Sequence, residues 1–250
     1  MTNQLRAPGI ALLGALTLAV GIAAVARSSS DPPAEAAPKA TAAKAMRLED
    51  TSVIVETNAT DGDAGLQFFL DGEPWRSMKI FRPGGKKILD VNATGRLKNF
   101  GLTELFSETN EPEFNELPFS KFKRRFPEGT YKFAGRTTEG RKQVGKARLS
   151  HRIPDGPEII APAAGSTVPD GNVVARWAPA PQPGIDIEGY RVIVEREDPF
   201  RLYQVELPAS QTSVTIPSEY LEPGTEYLLE IQTIERNGNQ TISEHFFNVG

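Results

Sequence analysis

The rhythm of apolar and polar positions divides this chain into segments of different kinds. From Gly9 to Ala26 the residues are apolar except for Thr17, and Arg6 is the one charge ahead of them. From Arg27 to about residue 47 no apolar period survives, and Ser, Asp, Pro, Ala and Lys dominate. From Thr51 onward, short apolar runs are cut by Gly, Pro, Asn and Asp, which is the signature of strands joined by turns.

In the first part of this region the pattern predicts strands at Ser52–Glu56, Leu66–Leu70, Ser77–Phe81, Lys87–Asn92 and Gly101–Ser107. Asp71-Gly72 reads as a turn closing the second of them. Leu117, Phe119, Phe122 and Phe126 recur among Lys121, Lys123, Arg124 and Arg125, a spacing that predicts a short amphipathic helix starting near Pro118. Strands follow at Glu128–Phe133 and Gly145–His151. Turn residues then dominate Pro154-Asp155-Gly156-Pro157, which predicts a boundary that few contacts cross. Beyond it, strands are expected at Ile159–Ile160, Asn172–Trp177, Tyr190–Arg196, Tyr203–Leu207, Ser213–Ile216, Tyr227–Glu235 and Ile242–Val249.

Within the second region, Leu221-Glu222-Pro223-Gly224-Thr225-Glu226-Tyr227 combines a Pro-Gly turn with a tyrosine on the next strand. Such a tyrosine folds its hydroxyl back onto the corner's backbone and ties two sheets together. Phe126-Pro127-Glu128-Gly129-Thr130-Tyr131 echoes it in the first region. With Trp177, the alternation Tyr190-x-Val192-x-Val194 and the Asn237-Gly238-Asn239 turn, residues 158–250 resemble a fibronectin type III domain. The resemblance implies that Trp177, Tyr190, Leu221 and Tyr227 are core and corner residues, which hold the fold and do not mark a binding site. The family's Arg-Gly-Asp tripeptide is absent, so integrin-type recognition does not carry over. Residues 48–152 carry no comparable resemblance. The expected fold class is all-β, with two tandem immunoglobulin-like β-sandwich domains at 48–152 and 158–250. They follow a signal peptide or anchor at 1–26 and a flexible linker at 27–47.

Composition bears on location and partners. The 28 Lys and Arg nearly balance 32 Asp and Glu, at a pI of 5.4, so the strongly basic footprint of a nucleic-acid binder is missing. The absence of cysteine removes disulfides, thiolate metal sites, a lipid-attachment cysteine and cysteine nucleophiles. Ala24-Val25-Ala26, followed by the polar Arg27-Ser28-Ser29, fits signal-peptidase cleavage. Retention of residues 9–26 as a membrane anchor is the alternative, because the run lies at the lower edge of spanning length. Both readings place the remainder outside the cytoplasm, in the periplasm or the secreted fraction, and a disulfide-free exported protein fits a bacterial envelope. Asn58, Asn92 and Asn239 open N-x-Thr triplets that such a host leaves unmodified.

Candidate chemistry is sparse. Asn58, Asp61 and Asp63, following Glu56, form an oxygen-rich Gly-bearing loop that is the candidate calcium site, although its spacing departs from the EF-hand loop. Glu104, Glu108, Glu111, Glu113 and Glu116 are expected to pair with the basic run on the surface rather than to act as a glycosidase acid and base. Lys121, Lys123, Arg124 and Arg125 are candidate contacts for anionic lipid or glycan. Trp75 and Tyr131 are the candidate sugar-stacking rings. His151 and His245 read as strand residues, and no nucleophile elbow, phosphate loop, dinucleotide fingerprint or zincin motif occurs. The expected function is a non-catalytic exported interaction or scaffold protein that binds envelope or extracellular proteins or polysaccharide. A carbohydrate-binding module is the alternative, and a small hydrolase ranks below it. No cofactor is expected apart from calcium.

Overall fold

The computed structural model describes residues 44–179 and 182–250, which form an all-β, sheet-rich protein. The predicted signal peptide or anchor and the linker up to Ala43 lie outside the described residues.

The first domain contains β1 (Met46–Arg47), β2 (Asp50–Asn58), β3 (Asp63–Phe81), β4 (Lys87–Asn92), α1 (Leu97–Phe100), β5 (Leu102–Glu108), α2 (Phe119–Arg125), β6 (Gly129–Thr137) and β7 (Lys142–Leu149). Met46 and Arg47, expected to end the linker, instead pair in parallel with Gln143 and Val144. The Asp71-Gly72 turn does not form either. β3 runs straight through it for 19 residues, pairing with β2 and β5 in its first half and with β4 and β6 in its second. The reason is packing: a Cβ on Gly72 would stand 2.7 Å from Leu48 Cδ2 and 2.6 Å from Gln143 Nε2. Glycine serves close approach here, not chain reversal. Pairing shifts register on either side of Trp75, so the strand bends and passes from one layer to the other.

β1 and β2 make the same passage on the opposite side. The Leu48 amide donates to Val144 of β7 (2.9 Å), and the next amide, Glu49, donates to Asp71 of β3 (2.9 Å). Around this two-layered body, Val53, Val55, Leu66, Phe68, Leu70, Trp75, Ile80, Tyr131 and Phe133 form one buried core. Helix α2 starts after Pro118, as its amphipathic spacing predicts, and buries Phe122 while Phe119 and Phe126 pack beside it.

The second domain contains β8 (Glu158–Ala161), β9 (Thr167–Val168), β10 (Val173–Ala178), β11 (Ile187–Arg196), β12 (Arg201–Pro208), β13 (Ser213–Ile216), β14 (Thr225–Glu235) and β15 (Gln240–Val249). One layer is β13-β10-β8, and the other carries the order β15-β14-β11-β12. Between them lie Trp177, Tyr190, Val192, Val194, Tyr227, Leu229, Ile231 and Phe247, with the Trp177 ring edge-on to Tyr190 at 5.3 Å. At the corner, the Glu222 amide donates to the Tyr227 hydroxyl (2.8 Å). The first domain uses the same device with opposite polarity. The Tyr131 hydroxyl donates to the Pro127 carbonyl (3.2 Å). Arg196, which is buried, and Arg201 hold the Glu222 carboxylate at the corner, and these hydrogen bonds keep it below the usual carboxylate range.

The boundary was expected to carry few contacts, yet the two domains share one 12-stranded sheet. Gln240, Thr241 and Ile242 at the start of β15 pair in parallel with Glu56, Thr57 and Asn58 of β2. Asn239, only 1% exposed, is the hub of this seam. Its Oδ1 accepts from the Val55 amide (2.9 Å), and its Nδ2 donates to the carbonyls of Ser150 (2.8 Å) and Arg152 (2.7 Å). Thr57 and Thr241 hydroxyls meet at 2.6 Å, Thr241 also donates to the Pro154 carbonyl, and Arg152 pairs with the buried Glu235 (2.8 Å). The turn residues at 154–157 are therefore drawn into the seam, because the polar groups of β2 and β15 need partners once water is excluded.

These contacts set two expectations for equilibrium urea unfolding. Tyr227→Phe strands the Glu222 amide and lowers stability by about 1–2 kcal/mol. Asn239→Ala orphans three backbone groups at once and costs about 2–4 kcal/mol, whereas Asn92→Ala, at an exposed position, stays within about 0.5 kcal/mol of the parent.

Candidate functional site

Strand alternation decides which side chains meet at the seam. On β2, Val53 and Val55 enter the first core, so Ile54, Glu56 and Asn58 take the other face. On β3, Leu66 and Phe68 enter the core, leaving Gly65 and Gln67 opposite. On β14, Leu229 and Ile231 enter the second core, leaving Glu230 and Gln232 opposite. Because the sheet is continuous, these non-core faces line up, and acidic residues from both domains come together.

The tightest group is Glu56, Glu108 and Glu111, whose nearest oxygens lie within 4.8 Å of one another. Glu56 is 1% exposed; one of its oxygens accepts from Gln240 Nε2 across the seam, while Oε1 is buried without a hydrogen-bond partner. Glu108, at the end of β5, accepts from Gln67 Nε2 (2.8 Å). Glu111 follows β5 and folds back over Gly65, where a Cβ would stand 2.8 Å from its Oε1. A side chain at this β3 position would push the carboxylate aside.

Electrostatically the group is uncompensated. Burial pushes Glu56 up to about 8, and the Glu108 charge adds to the effect. Burial likewise raises Glu111 to about 8, with Glu56 next in importance, and Glu230 to about 8, with Glu244 next. Glu244 is itself raised, chiefly by burial. Among the described residues, none of these carboxylates takes part in an ion pair with lysine or arginine. Buried carboxylates in this condition hold protons or a cation.

The predicted site residues fare differently. Asn58, Asp61 and Asp63 lie at the turn from β2 to β3. Asn58 Oδ1 accepts from the amides of Thr60 (2.9 Å) and Asp61 (3.2 Å) and so closes that turn. Asp63 pairs into the ladder, and burial raises its carboxyl to about 6. Trp75 and Tyr131, expected as sugar-stacking rings, are fully buried and present no platform. The bend in β3 turns Trp75 inward, where its indole donates to the Thr103 carbonyl (3.1 Å). Lys121, Arg124 and Arg125 are exposed on α2, while Lys123 lies over the Phe119 ring at 4.7 Å. The expected pairing of that run with Glu104, Glu108, Glu111, Glu113 and Glu116 is not found among the described residues. Two of those glutamates turn toward the seam instead. Asn239, read as a glycosylation triplet, is buried in the joint. His151 and His245 each place Nε2 beside a carbonyl, of Phe126 (2.8 Å) and Pro162 (2.9 Å). A groove of about 340 Å³ beside the seam is lined by residues that include Phe114, Phe119, Lys123, His151 and Gln182.

A family model described as the fibronectin type III domain matches residues 163–249. Among solved structures, the chain is similar to one described as a myokine structure, at 19% identity over 38% of this chain and 96% of that one, with a TM-score of 0.30. It is similar to an engineered protein at 14% identity over 41% of this chain and 21% of that one, and the TM-score is again 0.30. It is also similar to a two-domain fibronectin type III segment of chicken tenascin, at 13% identity over 80% of this chain and 97% of that one, with a TM-score of 0.30. Fibronectin type III domains are generally non-catalytic binding or scaffold modules. Residues 163–249, with their paired layers and Tyr227 corner, are a C-terminal fibronectin type III domain.

Proposed function

We propose that this protein is an exported, non-catalytic scaffold of the cell envelope or secreted fraction, docking a protein or surface-polymer partner through its first domain. The observation that carries this reading is the interrupted edge strand β4–α1–β5. Both strands pair with β3 along the sheet's margin, and α1 bulges between them with no buried residue. At its tip, Leu97 is 53% and Phe100 80% exposed, beside the exposed Arg96 and Lys98. An exposed aromatic and a leucine within one helical turn of a sheet edge suit recognition, where burying them against a partner is favourable. The edge itself offers backbone groups to an added strand.

Export rests on the apolar run Gly9–Ala26 and the polar residues after it, together with the absence of cysteine. If residues 9–26 are retained, they tether the scaffold to the membrane; if they are cleaved, the mature chain begins near Arg27. Trp75 and Tyr131 being buried, carbohydrate stacking finds no support at those positions.

Affinity capture from envelope extracts with the full-length protein tests the reading. Leu97→Ser with Phe100→Ser abolishes capture and leaves the urea midpoint unchanged, while Phe200→Ser, at an exposed position of the second domain, leaves capture intact. Retention of the partner by the double variant places the docking surface elsewhere.

A further inference from the structure

We propose that Glu56, Glu108 and Glu111 bind one Ca²⁺ ion at the joint between the two domains. The site takes Glu108 from the end of β5, away from the α1 tip proposed for docking, and its occupancy is measured without any partner.

Geometry, burial and charge converge on this site. Oxygens of the three carboxylates lie within 4.8 Å of one another, close enough for one cation to touch all three. Mg²⁺ keeps several of its waters and demands a near-ideal octahedron, which a carboxylate as deeply buried as Glu56 suits poorly. Ca²⁺ accepts six to eight hard oxygens in flexible geometry, and carboxylates that bind with both oxygens supply most of that number. The independent sign of a ligand is Glu56. It is almost completely buried, its Oε1 has no hydrogen-bond partner, and among the described residues no lysine or arginine pairs with it. Neighbouring amides orient the set, Gln67 holding Glu108 and Gln240 holding Glu56. The absence of a side chain at Gly65 gives Glu111 room to close over it.

Position supplies the consequence. Glu56 belongs to the first domain and Gln240 to the second, so an ion on Glu56 acts on the contact that joins them. Glu230 and Glu244, from the second domain, stand close enough to the site to interact with Glu111 electrostatically. Binding to the native state alone then raises stability by mass action.

The test is isothermal titration of CaCl2 into the chelator-stripped full-length protein, paired with thermal unfolding in EDTA, CaCl2 or MgCl2. The wild type is expected to bind one Ca²⁺, and Tm to rise by about 5 °C or more at hundredfold excess over Kd, with a smaller rise in Mg²⁺. Glu111→Gln removes one charge at nearly constant shape. It weakens Ca²⁺ by about tenfold or more, yet raises Tm in EDTA at about pH 9, where the carboxyls are ionised and like-charge repulsion is relieved. Gly65→Ala displaces the Glu111 carboxylate and weakens Ca²⁺ while leaving every charge in place. No heat and no Tm shift in the wild type overturns the proposal. So does an equal shift with Mg²⁺, or an undiminished Ca²⁺ response in both variants, either of which assigns the effect to surface screening.

Discussion

The structure depends on one side-chain amide. Asn239 closes the last hairpin of the fibronectin type III domain, and its two polar ends face backward onto the first domain. The carbonyl takes the amide of Val55 and the nitrogen takes two carbonyls from the segment leaving β7, so neither domain satisfies these groups alone. Burying unpaired backbone donors and acceptors costs more than the net value of the bonds, which is what makes such a joint all-or-none. Because Asn239 fixes the entry of β15, the next residues fall into parallel register with β2, and two sheets become one.

The continuous sheet explains why the acidic face exists. Without the joint, Glu56 on the first domain and Glu230 and Glu244 on the second would lie on separate solvent-facing surfaces. Joining β2 to β15 brings these faces edge to edge, and the segment after β5 folds Glu111 over Gly65 of the neighbouring β3. Desolvation and mutual repulsion then act together on the group. The polar seam and the acidic face follow from one constraint, while the tip of α1 stays exposed on the β4–β5 margin of β3.

Much of the fold is legible in the residues. The Pro223-Gly224 turn, the Tyr227 hydroxyl and the Trp177–Tyr190 pair carry short-range signals, and the strands around them lie near their predicted positions. The echo at Tyr131 anticipates a second corner, though the bond there runs from hydroxyl to carbonyl rather than from amide to hydroxyl. What escaped the reading was long-range. Asp71-Gly72 has turn chemistry, but its surroundings use glycine for close packing. Trp75 follows a proline in a polar stretch, and only the bend of β3 turns it inward. The converging carboxylates come from β2, β5 and the loop beyond, far apart in sequence. Alternation does place Glu56 opposite Val55, and an acidic residue on a buried strand was the one signal available.

Native-state hydrogen exchange tests the central claim most directly, by comparing the Val55 and Ala59 amides at the seam with Phe133 in the first core and Leu229 in the second. The Val55 amide donates to Asn239, and the Ala59 amide donates to the Ile242 carbonyl at 2.8 Å. If the joint makes the two domains one cooperative unit, all four exchange with the same opening free energy and the same urea dependence. Seam amides that open first, followed by the two cores at different free energies, would show two independent domains and contradict the account.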